Sequence, residues 1–211
     1  MLEDVLLITE KHRKAAAEIE KEVLNRKKKK MIVAISGESG SGKSELTHVI
    51  AKNLRKYGIF AKPVHIDNFY RILPLERTEW RLKNGIEKVV GLEEIDWKRV
   101  RQTVSDFKNS RPNTMPCVDL VTEQVDRLTT DFNGIEMLIM DGLYAINCKE
   151  ADLKIFIELT YHETKKAQSS RGKEPQNEYR MRVLEKEHKV VQSLKPYADI
   201  LIDKQYQVKV I

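Results

Sequence analysis

"GESGSGKS", residues 37–44, follows directly on the apolar run "MIVAIS", residues 31–36. Gly37, Gly40 and Gly42 leave the stretch without a side-chain surface to pack, yet it closes on a lysine and a serine. Gly37, Gly42, Lys43 and Ser44 together satisfy G-x-x-x-x-G-K-[ST]. Glycines let the backbone curl until successive amides point inward at an anion. The lysine then reaches the outer phosphates, the serine hydroxyl ligates Mg²⁺, and the following helix aims its positive end at the same charge. A Gly/Ser-rich linker has a similar composition, but a linker does not sit between a buried strand and a helix start. The whole run Gly37, Glu38, Ser39, Gly40, Ser41, Gly42, Lys43, Ser44 and Glu45 is therefore the expected nucleotide-phosphate site.

The chain around this loop alternates. Residues 2–29 read as one amphipathic helix, with Val5, Ile8, Ala15, Ile19 and Val23 at helical spacings. It is expected either to pack on the main domain or to form a dimer with a second copy. Ile32–Ser36 is a buried strand, Ser44–Tyr57 a helix ended by Gly58, and Phe60–Ile66 a strand that tolerates Pro63. Asn68–Gly91 is mixed, mostly loop with a short helix, and Asp96–Asn109 is a helix. "RPNTMP", residues 111–116, reads as a turn-rich connection. "IEMLIM", residues 135–140, and Lys154–Leu159 are strands; Tyr179–Leu194 is a charged helix and Ile200–Ile202 a last strand. Strands alternating with helices predict an α/β fold with a mostly parallel central sheet and helices on both faces. The expected organisation is a helix over 1–30 and one catalytic domain over 31–211.

Composition narrows the setting. The 211 residues are 41% hydrophobic and 33% charged, as in a charge-rich globular chain, and no apolar run is long enough for a membrane span. Cys117 and Cys148 have neither metal-ligand spacing nor a disulfide framework, and no secretory leader pattern opens the chain. A cytoplasmic protein is expected. The net charge of +6 partly reflects Lys27–Lys30 at a helix end, where lysines complement the helix dipole. With no nucleic-acid-binding pattern beside the charge, neither nucleic acid nor membrane is an expected partner.

A phosphate loop does not by itself choose between a kinase, a GTPase and a motor. There is no N-K-x-D guanine-reading motif, and "DFNG", residues 131–134, precedes an apolar strand and reads as a turn. A small phosphotransferase is the best class. Asp67 stands at the end of the second strand, where ligands collect in open α/β sheets. It could take the proton of an attacking hydroxyl, or simply cap a turn. Asp141 closes "IEMLIM" and is placed to hold Mg²⁺ with Ser44, although many strands end in aspartate without such a role. His65 and His162 stand alone in the sequence and are given no role.

In order and approximate spacing, "GESGSGKSE", "DNFYR", "DWKRV", "MDGLYA", "DLKIFIEL" and "YADILI" resemble the uridine kinase and phosphoribulokinase family of P-loop kinases, over residues 31 to about 204. The resemblance implies a P-loop NTPase-type three-layer fold, ATP and Mg²⁺ as cofactors, a small-molecule acceptor and possible homo-oligomers. It implies that Asp67 is the base and that Tyr70 and Arg71 line the acceptor site. It also implies an arginine-bearing lid over about 162–182, where "SSRGKEPQNEYRMR" offers Arg171, Lys173, Arg180 and Arg182. Arg171 is the expected catalytic lid residue beside Asp67 and Lys43. Where relatives carry a base-contacting tyrosine and histidine, "MPCVDLVTEQVDR" has Val118 and Glu123. A nucleoside is the first expected acceptor, with a sugar phosphate or other small alcohol next and a non-catalytic nucleotide switch as the alternative. Uridine itself is expected to be poorly used.

Overall fold

The computed structural model describes residues 5–164 and 177–211. The first helix, α1 (Glu10–Asn25), begins later than the periodicity suggests and ends sooner. Thr9 takes extended geometry and its backbone amide donates to His12 Nδ1 at 3.0 Å, which stops the helix from running back toward residue 2. Val5 is accordingly solvent-exposed. Next come β1 (Met31–Gly37), α2 (Lys43–Leu54) and β2 (Ala61–His65). The stretch expected to be mostly loop holds α3 (Pro74–Asn84) and the single-turn α4 (Ile86–Val89), followed by α5 (Trp97–Lys108). Pro74 fits the first turn of α3, where a missing amide costs nothing.

Residues 111–116 are not only a connection. They lead into a hairpin of β3 (Asn113–Val118) and β4 (Val125–Thr130), which form their own two-stranded antiparallel sheet. Asp131–Gly134 is a turn as expected, with Asp131 Oδ1 accepting from the Asn133 amide at 2.8 Å. The chain closes with β5 (Met137–Asp141), β6 (Leu153–Ile157), α6 (Glu178–Leu194), β7 (Ile200–Ile202) and β8 (Val208–Val210). The last of these was not anticipated.

The main sheet has the order β2-β5-β1-β6-β7-β8. All pairings are parallel except β7 with β8. Pro63 is tolerated because β2 lies at the sheet edge. Alternation along the strands makes two cores. Ile32, Ala34, Leu138 and Met140 face α5 and α6 through Val104, Phe107, Val191 and Leu194. Met31, Val33, Ile35, Met137 and Ile139 face the other way, against Leu46, Ile50 and Leu54 of α2 and Ala16, Ile19 and Val23 of α1. A sheet buried on both sides explains the near-continuous apolar strands. The apolar stripe of α1 is thus spent on its own chain. The result is a three-layer α/β fold whose parallel strands all deliver their carboxyl ends to one edge.

Candidate active site

The phosphate loop crosses that edge between β1 and α2. Gly42 precedes α2 with φ of 92°, a left-handed conformation that glycine adopts without strain. A Cβ there would also lie 1.9 Å from the Tyr206 hydroxyl and 2.7 Å from His12 Nε2, so the second glycine of the motif is required by packing too. Lys43 Nζ donates to the Glu38 carbonyl at 2.9 Å, arching its side chain back over the loop. Ser44 lies in the first turn of α2, the end that carries the helix's partial positive charge.

Glu38 and Glu45 flank this cradle, and two carboxylates facing phosphate would repel it. Both turn away. Glu38 is buried; its Oε1 accepts from His188 Nδ1 at 2.8 Å and Gln192 Nε2 at 2.6 Å, and its Oε2 accepts from the Tyr161 amide at 2.8 Å. Glu45 Oε1 accepts from the Leu7 amide at 3.3 Å, ahead of α1. Each carboxylate is thus held by segments outside the loop. Further straps run from Thr164 Oγ1 to the Ser39 carbonyl at 2.7 Å and from the Tyr206 hydroxyl to the Ser41 carbonyl. None of these ties was visible in the sequence, because each joins segments far apart in the chain.

Asp67 sits in a 3-10 turn, Ile66–Phe69, at the end of β2, and it is His65 that occupies the cap position. Asp67 Oδ1 is buried with no hydrogen-bond partner among the described residues. It packs against Gly142, where a Cβ would come within 3.1 Å of it. Burial pushes the Asp67 carboxyl above its ordinary range, reinforced by Asp141 and opposed by Lys43, His65 and the Leu143 amide. Asp141, 2% exposed at its side chain, accepts on Oδ1 from His65 Nδ1 at 2.5 Å. Its Oδ2 is buried and has no partner among the described residues. His65 therefore has a specific partner after all, one that strand register supplies and sequence spacing hides.

Oxygen donors of this kind suit a hard divalent cation. The unpartnered Asp141 Oδ2 and the Ser44 hydroxyl are the protein groups that fit Mg²⁺. Among the described residues no group of three or more His, Cys, Asp and Glu side chains forms a metal cluster.

The stretch "DNFYR", expected to line an acceptor site, zips onto residues 94–96. Phe69 O accepts from the Asp96 amide at 2.8 Å, and the Arg71 amide donates to Glu94 O at 2.8 Å. Arg71 Nε donates to Ile95 O at 3.2 Å while the residue stays exposed. Tyr70 is covered by the Arg77 guanidinium, 3.8 Å from its ring centroid, and burial pushes its phenol well above the ordinary value. Arg77 Nε and the Tyr144 hydroxyl are buried without partners among the described residues. The Val118 amide donates to Asn68 Oδ1 at 3.1 Å, next to Asp67, whereas Glu123 lies exposed beyond β3 with φ of 57°. These two positions do not converge.

Beneath this wall, buried Arg81 donates to both oxygens of Glu94, at 2.7 and 3.0 Å, and approaches Glu187 at 3.8 Å. Burial is the largest single influence on Arg81 and would lower its pKa, but the Glu94 hydrogen bonds together with the charges of Tyr70, Glu187 and Glu94 raise it overall. Arg180 Nη1 lies 3.6 Å from Glu187 Oε2, and Arg182 faces solvent. Arg171 and Lys173 lie outside the described residues.

The family model described as "Phosphoribulokinase / Uridine kinase family" matches residues 32–209. A uridine kinase of Ureaplasma parvum serovar 3 is 31% identical over 140 residues, covering 62% of this chain; the chain spans only 63% of that relative's length. A uridine kinase of Staphylococcus aureus is 26% identical over 188 residues, covering 81% of this chain and 86% of the relative. In fold, the chain is similar to a D-glycerate 3-kinase from Cryptococcus neoformans, with TM-score 0.65 at 12% identity over 93% of this chain and 99% of that one. With the family model matching residues 32–209 around an intact phosphate loop, the chain belongs to the phosphoribulokinase / uridine kinase family.

Proposed function

We propose that the protein is an ATP-dependent phosphotransferase that moves the γ-phosphoryl group to a hydroxyl of a small acceptor, with a nucleoside as the first candidate. The observation that carries this reading is Asp67. Its buried carboxyl, with raised proton affinity and an unpartnered oxygen, stands at the strand ends beside the phosphate loop, in the field of Lys43. A carboxylate so placed can accept the hydroxyl proton as the oxygen attacks phosphorus.

The loop amides and Lys43 hold the phosphates, and Ser44 and Asp141 hold Mg²⁺. The ion, when bound, neutralises phosphate charge and fixes the angle of attack. Tyr70 and Arg71 line the acceptor pocket, and Arg171, Lys173, Arg180 and Arg182 belong to a lid that excludes water from the reacting phosphoryl group. A cytoplasmic setting completes the reading, supported by two buried free cysteines.

A second acceptor class, a sugar phosphate or other anionic alcohol, is favoured by Arg77. Its buried Nε has no partner among the described residues and lies on the acceptor side beside Tyr70. The test is a panel of nucleosides, sugar phosphates and small alcohols with ATP and Mg²⁺, read as ADP formed. Turnover with a nucleoside supports the first reading, and turnover confined to anionic alcohols supports the second. ATP binding with no turnover on any acceptor would mark a nucleotide switch and overturn both.

A further inference from the structure

His65 and Asp141 end neighbouring strands, and the register of β2 on β5 sets their Cα atoms directly opposite each other. Paired positions of this kind put both side chains on one face of the sheet. The imidazole Nδ1 lies 2.5 Å from Asp141 Oδ1. An ionised carboxylate can only accept, so Nδ1 carries the hydrogen and donates it.

The consequence is a division of labour between the two carboxylate oxygens. Oδ1 is engaged by the imidazole, while Oδ2 is buried and has no partner among the described residues. A carboxylate on a short side chain can rotate about its last bond, and only a second contact stops it. The His65 side chain is 26% exposed and Asp141 2%, so the imidazole braces the buried acid from the solvent side. Gly142 follows Asp141, and the space where its Cβ would be is filled by Ile66 Cβ at 2.9 Å and Asp67 Oδ1 at 3.1 Å. This close packing of Gly142 ties the backbone just after Asp141 to the turn that carries Asp67.

We propose that His65 is a positioning residue for the metal-holding carboxylate: by donating to Asp141 Oδ1 it presents Oδ2 to the divalent cation. This rests on the reading of Asp141 as a metal-holding group. Outer contacts to ligating carboxylates are typically worth about 10- to 100-fold in metal affinity.

Mn²⁺, standing in for Mg²⁺, is titrated into the full chain with ADP, and free Mn²⁺ is followed by electron paramagnetic resonance. Wild type, His65→Ala, His65→Asn and Asp141→Asn are compared, with ADP affinity measured separately in the absence of metal. Asparagine offers an amide N–H near the position of Nδ1. His65→Ala should weaken Mn²⁺ binding by about 10- to 100-fold, His65→Asn should recover most of it, and metal-free ADP affinity should stay constant. Asp141→Asn should lose the most. If Asp141→Asn binds Mn²⁺ as wild type does, the metal role of Asp141 fails, and the role of His65 with it. If Asp141→Asn is impaired but His65→Ala is not, or if His65→Asn restores nothing, the positioning role alone is overturned.

Discussion

Lys43 and Asp67 make opposite demands on the nucleotide, and substitution separates them. Lys43→Ala removes the cation expected on the outer phosphates, so ADP affinity by calorimetry and turnover should both collapse. Asp67→Asn keeps the shape but cannot take a proton; kcat should fall by about 10²- to 10⁴-fold while ADP still binds. Stability adds an independent check on the same residue. Burial raises the Asp67 pKa in the folded state, so the native protein favours the protonated form, and stability declines as pH rises through that pKa. At neutral pH an uncharged asparagine should therefore leave the melting temperature unchanged or raise it. In wild type the sign for activity is reversed: kcat/KM should be lost as pH falls through the raised pKa, above the ordinary carboxylate value of 3.8. A fall in kcat accompanied by a lower melting temperature would mark Asp67 as a structural group.

Between elements, the clearest coupling is that of the phosphate loop to α6. Glu38→Ala would strand the Tyr161 amide, His188 and Gln192 around one missing carboxylate. Unpaired buried donors cost about 1–3 kcal/mol each, so urea unfolding should show a loss of at least about that size. ATP affinity should weaken along with it, since the loop loses its anchor. The contacts of Glu38 also explain what sequence reading could reach. The strands β1, β2, β5, β6 and β7 and the helices α2, α5 and α6 were legible because apolar periodicity and glycine stops are local signals. The places of Lys43, Asp67 and Asp141 in the fold, after β1, β2 and within β5, were legible because motif position and strand ends are local too. The Glu38 brace, the His65–Asp141 pair and the Arg81–Glu94–Glu187 group were not, because each depends on register or helix docking. The β3–β4 hairpin was missed because Pro116 and the polar, half-exposed β4 carry no apolar alternation.

At the scale of the whole molecule, the proposed acceptor site carries neither of the base-contacting side chains that the family resemblance implies at positions 118 and 123. Val118 bonds Asn68 Oδ1 through its backbone amide and offers only an aliphatic side chain, and Glu123 is exposed in the turn between β3 and β4. Each oriented hydrogen-bonding partner lost is worth about 1–3 kcal/mol, so uridine and cytidine should be poor substrates with high KM. Val118→Tyr should lower that KM more than Glu123→His does, because position 118 is bonded to Asn68, the residue after Asp67, while Glu123 is exposed. Micromolar KM for uridine in the unaltered protein would refute this. The helix α1 lies outside the family-matched span, which begins at residue 32, yet His12 reaches the backbone of Gly42 and residue 7 holds Glu45. Ile19 and Val23 are fully buried against α2, and each such side chain is worth about 1.5–3 kcal/mol against a total stability of about 5–15 kcal/mol. Someone preparing the protein for crystallisation by trimming it to the recognisable kinase module should expect aggregated, nucleotide-blind material, detectable by light scattering and ADP calorimetry.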